Sequence, residues 1–252
     1  MKEEIVKKIK ETNQKYLGKL VDQEIPQKLE KQLKDMDWSY LDLIHRKKHE
    51  RGTFEPLKAT EISEIKQRET EFRKAGLDAI RAGKVGAILL AGGQGTRLGF
   101  DKAKGMFNIG VNRTLYIFEQ LIANLMDVTN EAGTWIPLYI MTSDKNDEQT
   151  RAFFEEHNYF GYNKDYVKFF VQEMVPAVDF EGNVLREAED SLAMSPNGNG
   201  GWYKSLLRAG LDQDIRKRGV EWLNVFAVDN VLQRIADPVF VGATILSGRV
   251  CG

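Results

Sequence analysis

The sequence is poor in the residues that build disulfide frameworks and metal clusters. Cys251 is its single cysteine in 252 residues, which excludes an intramolecular disulfide and fits a reducing compartment. A single Cys and three His cannot make up one of the usual Cys₄, Cys₃His or Cys₂His₂ structural zinc sites. Charge of one sign is missing too: 36 basic residues face 37 acidic ones, a net charge of −1. No bulk field then recruits nucleic acid or a membrane surface, and an anionic substrate has to be held by cations placed locally. No apolar run approaches the length of a membrane span. The opening Met-Lys-Glu-Glu-Ile carries no apolar signal core, so a cytoplasmic chain is expected. What is present, 42% hydrophobic and 29% charged residues, suits a globular protein long enough to bury a sizeable core.

The most informative stretch runs from Val85 to Phe107. Val85 to Ala91 is a nearly unbroken apolar run bounded by glycine, the pattern of a strand buried on both faces. Gly92-Gly93-Gln94-Gly95-Thr96-Arg97 follows. Three glycines in four positions allow close approach of main chain to a ligand, and successive N–H groups in such a turn form an anion-binding concavity. Arg97 adds a planar fork suited to phosphate, and Lys104 a second, mobile cation. Together they point to a nucleoside triphosphate. Two commoner phosphate loops do not fit. No Lys-Ser or Lys-Thr pair follows at the P-loop spacing, and the dinucleotide fingerprint fails because its sixth position from Gly93 is Leu98, with Gly99 one residue late. A turn that only redirects the chain is the plainer alternative; the added Thr96-Arg97-Leu98 and the spacing to Lys104 argue against it.

The remaining chain divides at about residue 75. Residues 1–75 predict a helical, solvent-rich lobe: Ile5, Ile9, Tyr16, Leu17 and Leu20, then Leu29, Leu33 and Met36, recur at helical spacing, followed by an apolar patch of Trp38, Leu41, Leu43 and Ile44. His45 and His49 stand four apart, a metal-pair spacing with no third ligand nearby, and the charge runs Arg46–Lys48 and Glu61–Arg73 mark solvated faces. Residues 76–252 alternate helix and strand. Helices are expected over Ala75–Gly83, Thr114–Met126, Glu148–His157 and from Trp202, with strands over Ile136–Thr142, Val167–Val171 and Trp222–Asp229. A hairpin turn is expected over Phe180–Val184, then a helix near Asp237–Phe240 and the start of a strand at Ile245–Ser247. That order predicts a doubly wound, mostly parallel α/β domain with its ligand at the carboxyl ends of the strands. Ser143-Asp144-Lys145-Asn146-Asp147 is polar enough to cap the following helix. Asp229, a carboxylate at the end of a buried strand, sits where a Mg²⁺ ligand or a helix cap is found.

The stretch Leu89-Leu90-Ala91-Gly92-Gly93-Gln94-Gly95-Thr96-Arg97-Leu98-Gly99 resembles the signature loop of the UDP-sugar pyrophosphorylases, closest to the UDP-N-acetylglucosamine pyrophosphorylase branch. The family's Pro-Lys-Gly stands here as Ala103-Lys104-Gly105. The resemblance extends to Met141-Thr142-Ser143, to Gln172 with Pro176-Ala177, to Asn197-Gly198-Asn199-Gly200 and to Val228-Asp229-Asn230; Val171 and Glu173 depart from the family's Gln and Gly. It implies a nucleotidyltransferase (GT-A-like) fold and formation of UDP-sugar and pyrophosphate from UTP and a sugar 1-phosphate, N-acetylglucosamine or glucose. It also implies nucleotide contacts at Leu90, Ala91, Gly92, Gly93, Gln94, Gly95, Thr96, Gln172 and Gly198, with Gln172 reading the uracil. Asn199 would hold the sugar, Asp229 Mg²⁺, and Arg97 and Lys104 would be catalytic. Family members continue past Gly252. The resemblance therefore implies a catalytic domain incomplete at its C-terminus, with two alternatives to turnover by this chain alone: a UTP-binding chain without activity, or a half completed by a separate C-terminal chain.

Overall fold

The computed structural model describes residues 2–41, 52, 53 and 59–252. His45, His49, Leu43, Ile44 and the Arg46–Lys48 run lie outside the described residues. In chain order the helices are α1 (Lys2–Glu11), α2 (Gln27–Asp35), α3 (Ile62–Gln67), α4 (Glu69–Arg81), α5 (Ile117–Ala132), α6 (Asp147–Glu156), α7 (Trp202–Arg208), α8 (Leu211–Arg218) and α9 (Pro238–Leu246). The strands are β1 (Val85–Leu90), β2 (Leu138–Thr142), β3 (Val167–Val171), β4 (Met174–Pro176), β5 (Arg186–Ala188), β6 (Ser191–Leu192), β7 (Met194–Pro196) and β8 (Trp222–Ala227). The chain folds as two units, residues 1–57 with 174–197 and residues 58–173 with 198–252.

The first unit joins the N-terminal helices to a segment that enters much later in sequence. Ile5 and Ile9 of α1 and Leu29 and Leu33 of α2, each pair four apart, bury one face. Val184 and Leu192 complete that core. Gln14 is buried and stitches the two segments: its side chain donates to the Gly182 carbonyl at 3.1 Å and accepts from the Val184 N–H at 2.6 Å. β4 pairs antiparallel with β7, and β5 with β6. The expected turn forms around Gly182, whose N–H donates to the Asp179 carbonyl.

The second unit is a four-stranded, all-parallel sheet in the order β3-β2-β1-β8. Every residue of β1 and β2 is buried, as unbroken apolar runs require when helices cover both faces. Ala87, Leu89, Leu138 and Ile140 point to one side, where they meet α4, α5, α6 and α9 through Leu77, Phe118, Phe154 and Val241. Ile88, Leu90, Tyr139 and Met141 point to the other and meet Leu206 of α7, with Leu211 and Ile215 of α8. The unit is therefore doubly wound. Because the strands are parallel, the ends of β1, β2, β3 and β8 open onto one edge.

Two expectations change. The helix leading into β1 starts at Glu69, because Phe72 already lies on its buried face with Gly76, Leu77 and Ile80. Ile245 and Leu246 are the last turn of α9 and begin no strand. Asp237 caps that helix, accepting from the Val239 N–H at 2.7 Å, and Pro238 follows at its first turn. Nothing stops the helix before Gly248, which takes φ +65°.

Candidate functional site

The glycine turn leaves the carboxyl end of β1 and folds back on itself. The Gly95 N–H donates to the Lys102 carbonyl at 2.9 Å and the Lys104 N–H to the Gly93 carbonyl at 3.2 Å, pairing Gln94 with Ala103 in antiparallel register. Thr96–Leu98 form one 3₁₀ turn. Among the described residues, the N–H groups of Gly92, Gly93, Gln94, Thr96 and Arg97 meet no acceptor. Gly92 and Gln94 are half-buried and Gly93 is exposed; N–H groups left unspent together in one turn are what an anion needs. Thr96 and Arg97 are exposed, and the guanidinium is unpaired among the described residues.

The ends of the other strands converge on this turn. Gln172, 6% exposed, follows β3 and lies against Gly92: a Cβ on Gly92 would stand 2.7 Å from its Oε1. Only glycine lets the turn and the glutamine amide come that close. Asp229, just past β8, is ion-paired with Lys104. The lysine stem is largely covered, whereas the Asp229 carboxylate is 61% exposed and open to further ligands. Ala103, standing for the family's proline, keeps a backbone that proline also adopts, φ −54° and ψ 134°. Its N–H meets no acceptor among the described residues.

Gly198 and Asn199 are exposed in the loop before α7. Gly198 has φ +78° and ψ 176°, a region open essentially to glycine alone. Ser205 ties this loop to the end of β3: its hydroxyl donates to the Gly201 carbonyl at 3.0 Å and accepts from the Glu173 N–H at 2.9 Å. The Glu173 side chain, 4% exposed, meets Arg208 at 2.5 Å and Lys204 at 3.6 Å. The expected residues thus fall on one edge in linked groups. Gly92 meets Gln172, Gly93 and Gln94 meet Ala103 and Lys104, Lys104 meets Asp229, and Gly198–Asn199 adjoin the Ser205–Glu173 link. Among the described residues, no side-chain hydrogen bond or ion pair joins Arg97 or Asn199 to the other site residues.

Two residues outside the expected set also act here. Asn146, 1% exposed, donates from Nδ2 to the Ala91 carbonyl at 3.2 Å and to the Gly93 carbonyl at 3.4 Å. Glu173 carries the buried charge just described. The sequence offered a signal for each: Asn146 lay in a polar cluster one turn from β2, and Glu173 broke the family pattern beside Gln172.

Chemically, the edge offers unspent N–H donors, a lysine cation held against Asp229 and, among the described residues, an unpaired guanidinium. It also has a buried carboxamide with donor and acceptor for a base edge, and one exposed carboxylate. Among the described residues no three His, Cys, Asp or Glu side chains cluster, so a closed protein cage for a metal is absent there. A single hard oxygen donor still fits Mg²⁺, which keeps its waters and takes substrate phosphates as its other ligands.

The family described as UTP--glucose-1-phosphate uridylyltransferase matches residues 15–250. The chain belongs to that family. Within this uridylyltransferase family it is 42% identical over 186 residues to the UDP-N-acetylglucosamine pyrophosphorylase of Saccharomyces cerevisiae, covering 72% of this chain and 39% of the yeast protein. It is 36% identical over 266 residues to UDP-N-acetylglucosamine diphosphorylase 1 of Arabidopsis thaliana, covering 97% and 53%. The crystal structure of the uridine diphosphate N-acetylglucosamine pyrophosphorylase from Trypanosoma brucei, solved with an inhibitor, shares the fold with a TM-score of 0.77 at 24% identity, over 98% of this chain and 55% of that one. The chain spans about two-fifths to one half of the length of these relatives. The parallel sheet flanked by helices is the nucleotidyltransferase-like fold of this family. Among the described residues no helix is long and apolar enough to cross a membrane.

Proposed function

We propose that this chain carries the UTP site of a uridylyltransferase that forms UDP-sugar and pyrophosphate from UTP and a sugar 1-phosphate. The observation that carries the reading is the set of unspent N–H groups from Gly92 to Arg97, flanked by Gln172 on one side and Lys104–Asp229 on the other. N-acetylglucosamine 1-phosphate is the favoured acceptor, since the similar proteins are named for that sugar; glucose 1-phosphate is the alternative.

In this reading the glycine turn cradles the phosphates and Gln172 pairs with the uracil edge, its amide offering one donor face and one acceptor. Gly198 borders the base and Asn199 the sugar. A phosphate oxygen of the sugar phosphate attacks the α-phosphorus in line, a new P–O bond forms, the α–β P–O bond breaks, and pyrophosphate leaves with that electron pair. No general base is needed, because the attacking oxygen is already anionic. Arg97 balances the charge on the departing pyrophosphate, and Lys104 that on the α-phosphate. Asp229 would hold a divalent cation, Mg²⁺ in this reading, which supplies charge neutralisation across the phosphates. Lys104 would turn from Asp229 toward the α-phosphate on its flexible four-carbon stem. The reaction would run in the cytoplasm, in keeping with a single cysteine.

Calorimetric titration of Mg²⁺ and UTP into the chain, beside ATP and an Arg97→Ala variant, tests the reading. Preference for UTP, lost in the variant, supports it, and turnover of sugar 1-phosphates then identifies the acceptor. A folded chain that binds no nucleotide overturns it.

A further inference from the structure

The hydrogen-bond ladder between β1 and β2 ends in an unusual way. The Ala87 N–H donates to the Pro137 carbonyl and the Ala91 N–H to the Met141 carbonyl, both at 2.8 Å. In a parallel pair the next rung would carry the Ser143 N–H to the Ala91 carbonyl. That rung is replaced. The Ser143 N–H donates to Asn146 Oδ1 at 2.8 Å, and Asn146 Nδ2 donates to the Ala91 carbonyl at 3.2 Å. A side-chain carboxamide has been spliced between the strands as a surrogate peptide group, with the same Nδ2 reaching the Gly93 carbonyl at 3.4 Å.

The splice determines where the turn's donors point. A trans peptide is planar, so a carbonyl and the N–H of the following residue face opposite ways. Holding the Ala91 carbonyl toward Asn146 turns the Gly92 N–H away from it, and the Gly93 carbonyl, held by Asn146 together with the Lys104 N–H, does the same for the Gln94 N–H. Both N–H groups are among those without an acceptor. The task needs a donor and an acceptor on one short planar group. Aspartate would set an oxygen against two carbonyls, and alanine would leave the rung open.

We propose that Asn146 is a positioning residue of the nucleotide site: it parts β1 from β2 at the sheet's carboxyl edge and orients the N–H groups of the glycine turn toward the phosphates. This rests on the UTP reading for the identity of the ligand, though not for the orientation of the turn. Amide hydrogen exchange and calorimetry on Asn146→Asp and Asn146→Ala test it, with UTP and inorganic tripolyphosphate, each with Mg²⁺, as probes. The expected result is faster exchange at the two hydrogen-bonded amides that fold the turn back, Gly95 and Lys104, with α5 and β3 unchanged, and at least tenfold weaker binding of both probes. Parallel loss for the two probes marks a defect at the phosphates, which a general loss of packing would not produce without faster exchange elsewhere. Should Asn146→Asp fail to fold, Asn146→Ala, which adds no charge, reads the same quantities. Unchanged exchange at Gly95 and Lys104, or local loosening with undiminished affinity, overturns the proposal. If the unsubstituted chain binds neither probe, the UTP reading fails, and local loosening in the variants alone then supports the positioning role.

Discussion

Removing Arg208 is expected to cost this protein more stability than removing the carboxylate it serves. Glu173 is 4% exposed, while its partners Arg208 and Lys204 are 51% and 39% exposed. The pair is therefore lopsided. Arg208→Ala leaves a buried carboxylate with Lys204 at 3.6 Å and without its 2.5 Å partner. Stranding one member of a fully buried pair costs about 3–5 kcal/mol, and fully exposed pairs are worth about 0–1. With one member buried and one half in water, a loss of about 2–3 kcal/mol is expected. Glu173→Met removes the buried charge itself and fills its volume, and Arg208, already 51% exposed, keeps its access to water. That change should lie within about 1 kcal/mol of zero. Urea unfolding of both variants measures the difference. In thermal melts Arg208→Ala should fall by about 4–12 °C, at roughly 2–4 °C per kcal/mol for a protein of this size. If Glu173→Met is the more damaging of the two, the carboxylate is stabilised by something other than its charge partners, and the reasoning fails.

Other substitutions separate stability from binding. Asp229→Asn should change stability by less than about 1 kcal/mol, since the carboxylate paired with Lys104 is mostly in solvent, yet weaken Mg²⁺-dependent UTP binding at least about tenfold; an equal loss without Mg²⁺ would remove Asp229 from the metal. Ala103→Pro should stabilise the chain by about 0.4–1 kcal/mol, because φ is already −54° and the N–H is unspent; a lower melting temperature would mean that the buried position has no room for the ring. Burial pushes the Tyr162 hydroxyl up to about 12, above its unfolded value near 10. The folded state thus holds this proton more tightly, so the contribution is full below about pH 10 and is lost as pH rises toward 12. Tyr162→Phe should flatten the stability curve across that window, at a cost of about 1 kcal/mol for the bond to the Ile136 carbonyl, and an unchanged alkaline slope would assign the transition to another group.

The parallel sheet was legible because its central strands β1 and β2 are buried on both faces and appear as near-continuous apolar runs, while β3 and β8, half-buried, are still mostly apolar despite Lys168 and Asn224; Val167–Val171 falls on β3 itself, and the other three run one or two residues beyond the strands. The glycine turn was legible because its composition is local. What escaped depends on partners far away in sequence. Residues 174–197 join the N-terminal helices through bonds such as Gln14 to Gly182, which no periodicity within either segment reports. Asn146 sat in a cluster with all the features of a helix cap; its actual partners, Ala91 and Gly93, lie more than fifty residues upstream. Ile245 and Leu246 are apolar enough for a strand, and the Asp237-Pro238 start that commits them to a helix stands nearly two turns earlier.

The strand order β3-β2-β1-β8 also sets a timetable. One edge of β1 pairs with β2 after the chain has grown by about fifty residues, but the other waits for β8; Lys84 and Glu221, beside the first rung, are 137 residues apart. At about 5–20 residues per second, a nascent chain spends roughly seven to thirty seconds with that edge open. It is an edge of Val-Gly-Ala-Ile-Leu-Leu, without a charge to deter pairing with another chain. Yield in a cell is therefore expected to respond to translation speed and chaperone supply across the codons that separate β2 from β8 far more than across those that follow.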